Sequence, residues 1–444
     1  EACIIDNNVK SDNIPVVYLI GTGMGAIDSY TVEAVQAIKS SQILIGAKRM
    51  TDSAMDLLKN IEKTYNAVID DNVIKDTNED NNDKIIDNYN KHIFISYMPD
   101  EIKNILDANT FSQAAVLLSG DSGFYSGAKK ITSVLEAYDV RIIAGISSVS
   151  YFCSRIGKSW DDMHITSCHG RHSNLIQRIY KNKKTFALLD GQEAIHNLCE
   201  KLIYYNMQHV HLYIGERLSY EDEKILSGSP DELKDIVTGS LVVVFAENDN
   251  AVNRIAYNIP DDAFIRGKVP MTKSSIRSVC ISNMELKDDS IVYDIGAGTG
   301  SVSVEIAMQS PDIQVYAIEK NAAAIELINL NKQKFAADNI EIINAYAPEG
   351  MDTLPKPDCV FIGGSTGNII SIIDTVFAKN PQCTIIINTV TLNTITELMN
   401  MLESDNGYKA DITQISAAHS YEAGRYMLMK ADNPVYIVKI KKDI

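Results

Sequence analysis

The run Ile291-Val292-Tyr293-Asp294-Ile295-Gly296-Ala297-Gly298-Thr299-Gly300 leads directly into Ser301-Val302-Ser303-Val304-Glu305-Ile306. An apolar stretch, three alternating glycines and a helix-forming segment describe a strand–turn–helix in which backbone can approach a ligand that a Cβ would exclude. Glu319 closes the next apolar run, Val315-Tyr316-Ala317-Ile318-Glu319, at roughly the 20-residue distance where an acid can hold ribose hydroxyls. The spacing is D-x-G-x-G-x-G, whereas nicotinamide-binding turns use G-x-G-x-x-G. The plainer alternative is a ligand-free turn with Asp294 as a cap; strand, glycines, helix and acid in this order weigh against it.

Three more glycine turns follow apolar runs earlier in the chain: Gly21-Thr22-Gly23-Met24-Gly25, Gly120-Asp121-Ser122-Gly123 and Gly145-Ile146-Ser147-Ser148. The first of these alone could be a simple turn. Together they predict a cluster at the carboxyl ends of sheet strands, where open α/β sheets bind ligands. Ser122 lacks the G-x-S-x-G context of a nucleophile, and no triad is legible. His164, His169 and His172 lie close in sequence without a Cys/His pair at zinc spacing, so no metal is expected. Arg266, Lys268 and Lys273 precede the second-domain glycine run and could hold carboxylates by charge-assisted hydrogen bonds. Each could equally be an exposed cation beside a linker. No general acid or base is assigned.

These residues need elements to position them. β-branched runs at 16–20, 43–45, 115–118, 141–143, 185–189, 211–214 and 241–245 alternate with amphipathic stretches such as Val32, Val35 and Ile38. That rhythm predicts an α/β domain with a largely parallel sheet. A second series predicts strands at 290–293, 314–318, 340–343, 359–362, 384–387, 412–415 and 435–440, with helices at 301–309 and 322–335. The Asp/Asn/Lys-rich run 70–90 reads as a solvated loop or a frayed helix. The polar stretch 246–262 is the candidate boundary. The expected organisation is an N-terminal extension 1–15, a first domain 16–247, a linker 248–258 and a second domain 259–444.

A chain of 444 residues exceeds the roughly 250–300 that one core organises, which supports two domains. A net charge of −17 opposes phosphate backbones and argues against a nucleic-acid partner. An acidic small molecule remains compatible, because a cleft can be locally basic. The seven cysteines are scattered without CxxC pairing, as in a reduced, cytoplasmic protein. No signal-peptide core is seen and no apolar run approaches the ~20 residues of a membrane span, so no membrane partner is expected.

The ordered turns at 21–25, 119–124 and 144–149, with Ser167-Cys168-His169-Gly170-Arg171, resemble the tetrapyrrole methylases, in particular the branch that methylates C-5 of late corrin precursors. The Asp294 to Gly300 run resembles motif I of the Rossmann-like class I methyltransferases. With Ile259-Pro260-Asp261-Asp262-Ala263-Phe264-Ile265-Arg266-Gly267 and Val269-Pro270-Met271-Thr272-Lys273, it resembles the decarboxylating C-15 methyltransferases of the same pathway. Both resemblances, in this order, cover nearly the whole chain.

The resemblance implies an α/β chain in which a tetrapyrrole methylase-type domain precedes a Rossmann-like class I methyltransferase domain with a mostly parallel sheet. It implies S-adenosyl-L-methionine as methyl donor and a precorrin or cobalt-precorrin tetrapyrrole as substrate in cobalamin biosynthesis. Methylation at C-5 and C-15 would accompany decarboxylation of the ring C acetate. The implied cofactor contacts are Gly21, Gly23, Gly25, Gly120, Asp121, Ser122, Gly145, Ile146, Ser147 and Ser148 in the first domain. In the second they are Thr272, Asp294, Gly296, Ala297, Gly298, Thr299, Gly300, Glu319 and Ala347.

Two positions depart from the relatives. Met24 stands where a Pro is common, which removes a fixed φ from that turn. Tyr346 replaces an Asp before Ala347-Pro348-Glu349, removing a carboxylate that could meet the adenine amine. A homo-oligomer is the expected assembly. The rival readings are methyl transfer to another small molecule or to RNA with the N-terminal half as accessory, a nicotinamide oxidoreductase, and a non-catalytic scaffold. Charge opposes the RNA reading and glycine spacing opposes the oxidoreductase.

Overall fold

The computed structural model describes residues 14–72, 91–168, 173–239, 241–252, 258–363, 367–404 and 407–443. The acidic run from 73 to 90, residues 1–13 of the extension, linker residues 253–257, and His169, Gly170, Arg171 and His172 lie outside the described residues.

Five strands form the first sheet: β1 (Val16–Gly21), β2 (Ile43–Gly46), β3 (His92–Ile95), β4 (Gln113–Leu118) and β5 (Asp139–Ile143). Their order is β3-β2-β4-β1-β5 and every pairing is parallel. Val17, Leu19, Ile43, Ile45 and Val116 feed one core, while Ile20, Leu44, Ala115 and Leu117 feed another. Alternate residues point to opposite faces, so a strand buried on both reads as an unbroken apolar run. Parallel pairing also aligns the strand ends. Gly21 lies opposite Leu118, and Ile20 opposite Ile143, so the three glycine turns leave one edge together.

The chain continues through β6 (His164–Ser167), β7 (Lys184–Asp190), β8 (His211–Glu216), β9 (Lys224–Gly228) and β10 (Leu241–Glu247), with β6 and β7 paired in parallel. The third series is β11 (Ile291–Ile295), β12 (Gln314–Glu319), β13 (Ile340–Asn344), β14 (Cys359–Ile362), β15 (Thr384–Thr389), β16 (Tyr408–Ile415), β17 (Ala418–Ala423), β18 (Tyr426–Ala431) and β19 (Val435–Lys442). Seven of these make a sheet ordered β13-β12-β11-β14-β15-β19-β16. The first five are parallel, and β19 runs antiparallel to both β15 and β16. This is the mostly parallel, Rossmann-like arrangement, and its strand order reverses between β11 and β14. Open α/β sheets bind ligands at such a reversal. β17 and β18 form a separate hairpin.

The chain divides into two compact units: Glu1–Met163, Tyr213–Ser227 and Thr238–Val244 form the first, and His164–Leu212, Gly228–Val237 and Phe245–Ile444 the second. Segment 164–212 therefore shares a unit with residues 245–444, although its strands β6 and β7 pair with each other and lie outside the seven-stranded sheet. Within the second unit Gln177 Nε2 donates to the Ala307 carbonyl at 2.8 Å, and Asp338 accepts from Lys201 at 2.8 Å and Tyr205 at 2.9 Å.

Segment 258–273 is fastened by one side chain. Arg277, fully buried, donates from Nε to Glu305 at 2.6 Å, from Nη1 to Asp261 at 3.2 Å and to the Thr272 carbonyl at 2.7 Å, and from Nη2 to the Ile259 carbonyl. Glu305 in turn accepts from the backbone N–H groups of Asn258 and Ile259 at 2.9 and 3.2 Å. Removing one partner of a buried ion pair strands the other and costs about 3–5 kcal/mol. Arg277→Met should lower unfolding stability by that order in a denaturant titration. A loss below about 1 kcal/mol, the scale of an exposed pair, would contradict this role.

Among the described residues the six cysteines are free, five of them buried. No described helix is long and apolar enough to cross a membrane. The described residues contain no group of three His, Cys, Asp or Glu able to hold a metal ion.

Candidate active site

The carboxyl ends of β11, β12, β14 and β15 open into a cleft of about 670 Å³ in the second unit, within the ~300–1,000 Å³ usual for small-molecule sites. Its wall carries Thr272, Lys273, Asp294, Gly296, Ala297, Gly298, Thr299, Glu319 and Ala347, residues singled out in the sequence. Gly298 has φ +57°, and a Cβ there would lie 3.2 Å from the Pro270 carbonyl oxygen, so the turn requires glycine for both conformation and room. Gly300 does not line the cleft; it begins the helix Ser301–Ala307 and packs against Ile328.

The polar groups on this wall fall into two kinds. Glu319 is occupied with shaping the turn: one carboxylate oxygen accepts from Gly298 N–H at 3.0 Å, the other from Lys320 and Asn321 N–H at 2.9 Å each. Others are buried without a partner. Among the described residues, Asp294 Oδ1, Thr299 Oγ1, Asn368 Oδ1 and Asp432 Oδ2 accept or donate no hydrogen bond. All four residues line the cleft. A buried polar atom left unmatched costs about 1–3 kcal/mol, so four at one wall suit a polar ligand. Asp294 is wholly buried; loss of hydration pushes its carboxyl up to about 7, the Ser303 hydroxyl hydrogen bond opposes this, and the Glu319 charge adds to it.

In the first unit the glycine turns converge on each other. Gly23 and Gly120 exchange two backbone hydrogen bonds, at 3.1 and 2.8 Å, which hold the first turn although Met24 supplies no fixed φ. A Cβ on Gly145 would stand 2.4 Å from the Gly120 carbonyl oxygen and 2.6 Å from Gly21 backbone. Asp121 spends both oxygens locally, on Gly123 N–H at 2.8 Å and Gly145 N–H at 3.0 Å. Ser122 donates to the Ile143 carbonyl at 3.1 Å, and Ser147 caps the helix Ser148–Arg155, in which Ser148 is buried. Asp121 and Ser122 border a cleft of about 650 Å³. Gly21, Gly23, Gly25, Gly120, Gly145, Ile146, Ser147 and Ser148 lie outside its wall, with Ile146 exposed. For Gly21 and Gly145, close approach by the chain itself is sufficient reason to be glycine.

Of the three cations named from sequence, Lys273 stands at the 670 Å³ cleft, whereas Arg266 and Lys268 are exposed and do not line it. Several wall residues carried no signal. Asn368 donates to the Ala347 carbonyl, and Lys320 sits 3.9 Å from the Tyr346 ring centroid. Asn388, Thr389 and Asp432 reach the wall from distant parts of the chain. Asn368 was the most findable, because Gly363-Gly364-Ser365-Thr366-Gly367 before it is another glycine run after an apolar strand. In the first unit Arg49 is brought onto Ser119 at 3.0 Å and the Tyr220 hydroxyl at 3.1 Å.

Comparison with known proteins agrees with this division of motifs. The tetrapyrrole (corrin/porphyrin) methylases match residues 16–234, and the precorrin methyltransferase domain matches residues 262–442. A cobalt-precorrin-6B C(15)-methyltransferase (decarboxylating) of Salmonella typhimurium is 36% identical over 185 residues, which are 41% of this chain and 95% of that protein. A probable enzyme of the same name from Pyrobaculum calidifontis is 37% identical, over 40% of this chain and 93% of its own length. A solved precorrin-6Y C5,15-methyltransferase of Geobacter metallireducens is 39% identical, covering 42% of this chain and 97% of that one, with a TM-score of 0.40. The chain belongs to the precorrin methyltransferases, a tetrapyrrole methylase region preceding the precorrin methyltransferase domain.

Proposed function

We propose that the chain methylates C-5 and C-15 of a precorrin or cobalt-precorrin from S-adenosyl-L-methionine and releases the ring C acetate as carbon dioxide. The C-5 step belongs to residues 16–247, and the C-15 step with decarboxylation to residues 259–444. One observation carries the reading: in a precorrin methyltransferase, the glycine turn, Glu319 and Ala347 share one wall with four unpartnered buried polar atoms. The chain works in the cytoplasm as a homo-oligomer. The apolar exposure of Tyr426, Met427 and Met429 on the hairpin, at 58, 65 and 67%, supports an assembly that covers it.

The wall fits the methyl donor. Gly298 leaves space a Cβ would fill, and Asp294 Oδ1 offers an unmatched acceptor that would suit a cationic group. Glu319 Oε2 accepts the Gly298 amide alone and keeps a lone pair for a ribose hydroxyl, whereas Oε1 spends both of its own on the Lys320 and Asn321 amides. When bound, S-adenosyl-L-methionine supplies a methyl already activated on a sulfonium. The residues then chiefly align an electron-rich meso carbon with it and exclude water, which can contribute about 7–11 kcal/mol. Lys273 is placed for a peripheral carboxylate of the acceptor; Arg266 and Lys268 would meet carboxylates of a macrocycle extending beyond the cleft.

Calorimetric titration with S-adenosylhomocysteine tests the two-site reading and should saturate near two per chain. Loss of all binding on Gly298→Leu would rule out the first-domain site. Asp294 adds a pH dependence. Its folded value lies above the unfolded 3.8, at about 7, so the fold binds a proton that the unfolded chain has released, and stability falls as pH rises through that window. The anion gained over the same window attracts a sulfonium. Affinity for S-adenosylmethionine should rise from about pH 6 to about pH 8, more than that for the uncharged thioether of S-adenosylhomocysteine, and Asp294→Asn should flatten the difference. Parallel pH profiles for the two ligands in the parent chain would contradict this assignment.

A further inference from the structure

The cleft extends beyond the proposed donor half. Gly296 follows β11, Glu319 ends β12 and Ala347 follows β13, on one side of the reversal in strand order; Asn388 and Thr389 end β15 and Val435 opens β19, on the other side. Asp432 lines this second half. Its backbone N–H donates to the Ala417 carbonyl at 2.9 Å, closing the base of the β17–β18 hairpin, and its buried Oδ2, which makes no hydrogen bond, lies 3.0 Å from Nε2 of His419 on β17. The other titratable groups on the wall have different surroundings. Glu319 is spent on backbone amides, Asp294 belongs to the donor half, Lys320 lies over Tyr346, and Lys273 is 3.9 Å from Asp261.

The reaction proposed above, on which this inference rests, needs such a pair. When C-15 is methylated, the methyl–sulfur bond breaks with its pair left on sulfur, and a π pair of the macrocycle forms the new C–C bond, leaving the macrocycle one positive charge. When the acetate breaks, its C–C pair enters the macrocycle and cancels that charge, and carbon dioxide leaves. No net proton is taken up or released. One proton is nevertheless in the wrong place: C-15 still carries hydrogen, and the former acetate carbon is a methylidene one proton short of a methyl group.

We propose that Asp432, with His419 against it, is the proton carrier that takes the hydrogen from C-15 and returns it to the former acetate carbon. The carboxylate lines the acceptor half, and the imidazole beside it shares the proton during transfer. The assignment concerns the last step only, after both methyl transfer and carbon dioxide loss.

The test uses the intact chain, the reduced corrin precursor and carbon-labelled S-adenosylmethionine, with His419→Gln and Asp432→Asn. His419 is exposed on a hairpin, so its replacement leaves the fold in place. In the parent chain the C-15 methyl should appear as a proton singlet after removal of carbon coupling. In either variant the rate of reaching that product, relative to S-adenosylhomocysteine and carbon dioxide formation, should fall roughly 100-fold, the lower end of general acid–base contributions. A species of the same mass should accumulate whose C-15 methyl is split into a doublet by the retained hydrogen. The double variant should be little worse than either single one, as for residues acting as a unit. An unchanged ratio, or a parallel fall of all three rates, would overturn the proton-carrier role. A parent chain that methylates C-15 without releasing carbon dioxide would instead refute the decarboxylase reading, and the inference with it.

Discussion

Glu319→Ala should remove C-15 methylation, and the linked decarboxylation, while the chain still methylates C-5 when given a suitable intermediate. The carboxylate is proposed to hold the ribose hydroxyls, and a lost hydrogen bond to a charged group costs about 1.5–3 kcal/mol, or roughly ten- to over a hundredfold in binding. Its three backbone contacts, to Gly298, Lys320 and Asn321, raise the effect, because the glycine turn loses its anchor as well. Gly298→Leu should be more severe still: it forces a side chain onto a backbone with φ +57° and to within 3.2 Å of the Pro270 carbonyl. Product mass and labelled-methyl NMR distinguish the two positions. Equal loss of both methylations in a folded Glu319→Ala chain would contradict two separate sites.

In the first unit two glycine substitutions should part company. Gly145→Ala places a Cβ 2.4 Å from the Gly120 carbonyl oxygen and 2.6 Å from Gly21 backbone, a clash that no side-chain rotation relieves. It should unfold the turn cluster and abolish C-5 methylation together with first-unit stability, seen as a lost or lowered unfolding transition. At Gly120 a Cβ meets nothing within 4 Å. Gly120→Leu should therefore leave the unit folded, apart from about 1 kcal/mol of left-handed backbone strain, yet block C-5 methylation by occupying the space before the turns and spare C-15. Full C-5 activity in a folded Gly120→Leu chain would remove that turn from the donor site.

The elements legible in the sequence are those whose burial is two-sided. β2, all four residues buried, and β11, β12, β14 and β15 stand within two residues of their apolar runs, because strands covered on both faces leave little room for polar interruption. β3 was not read: it is an edge strand with Ile93 and Ile95 exposed, and four residues carry little pattern. β17 and β18 escaped for a related reason, since their Met, Leu and Tyr residues face solvent. The Asp294 to Gly300 turn was legible because turn chemistry is local. Arg277 was not, for a fully buried arginine in a helix looks like any other cation until Glu305 and Asp261 close on it. The grouping of 164–212 with residues 245–444 in one unit rests on contacts such as Gln177 to Ala307, 130 positions apart, which no linker signal at 248–258 announces.

The most direct measurement supplies the intact chain with the reduced corrin precursor and S-adenosylmethionine and follows the product by mass. The expected product has gained two methyl groups and lost one carbon dioxide, with labelled methyl carbons at C-5 and C-15. A product with one methyl group, or two without loss of carbon dioxide, from a chain that binds two molecules of S-adenosylhomocysteine would contradict the bifunctional reading.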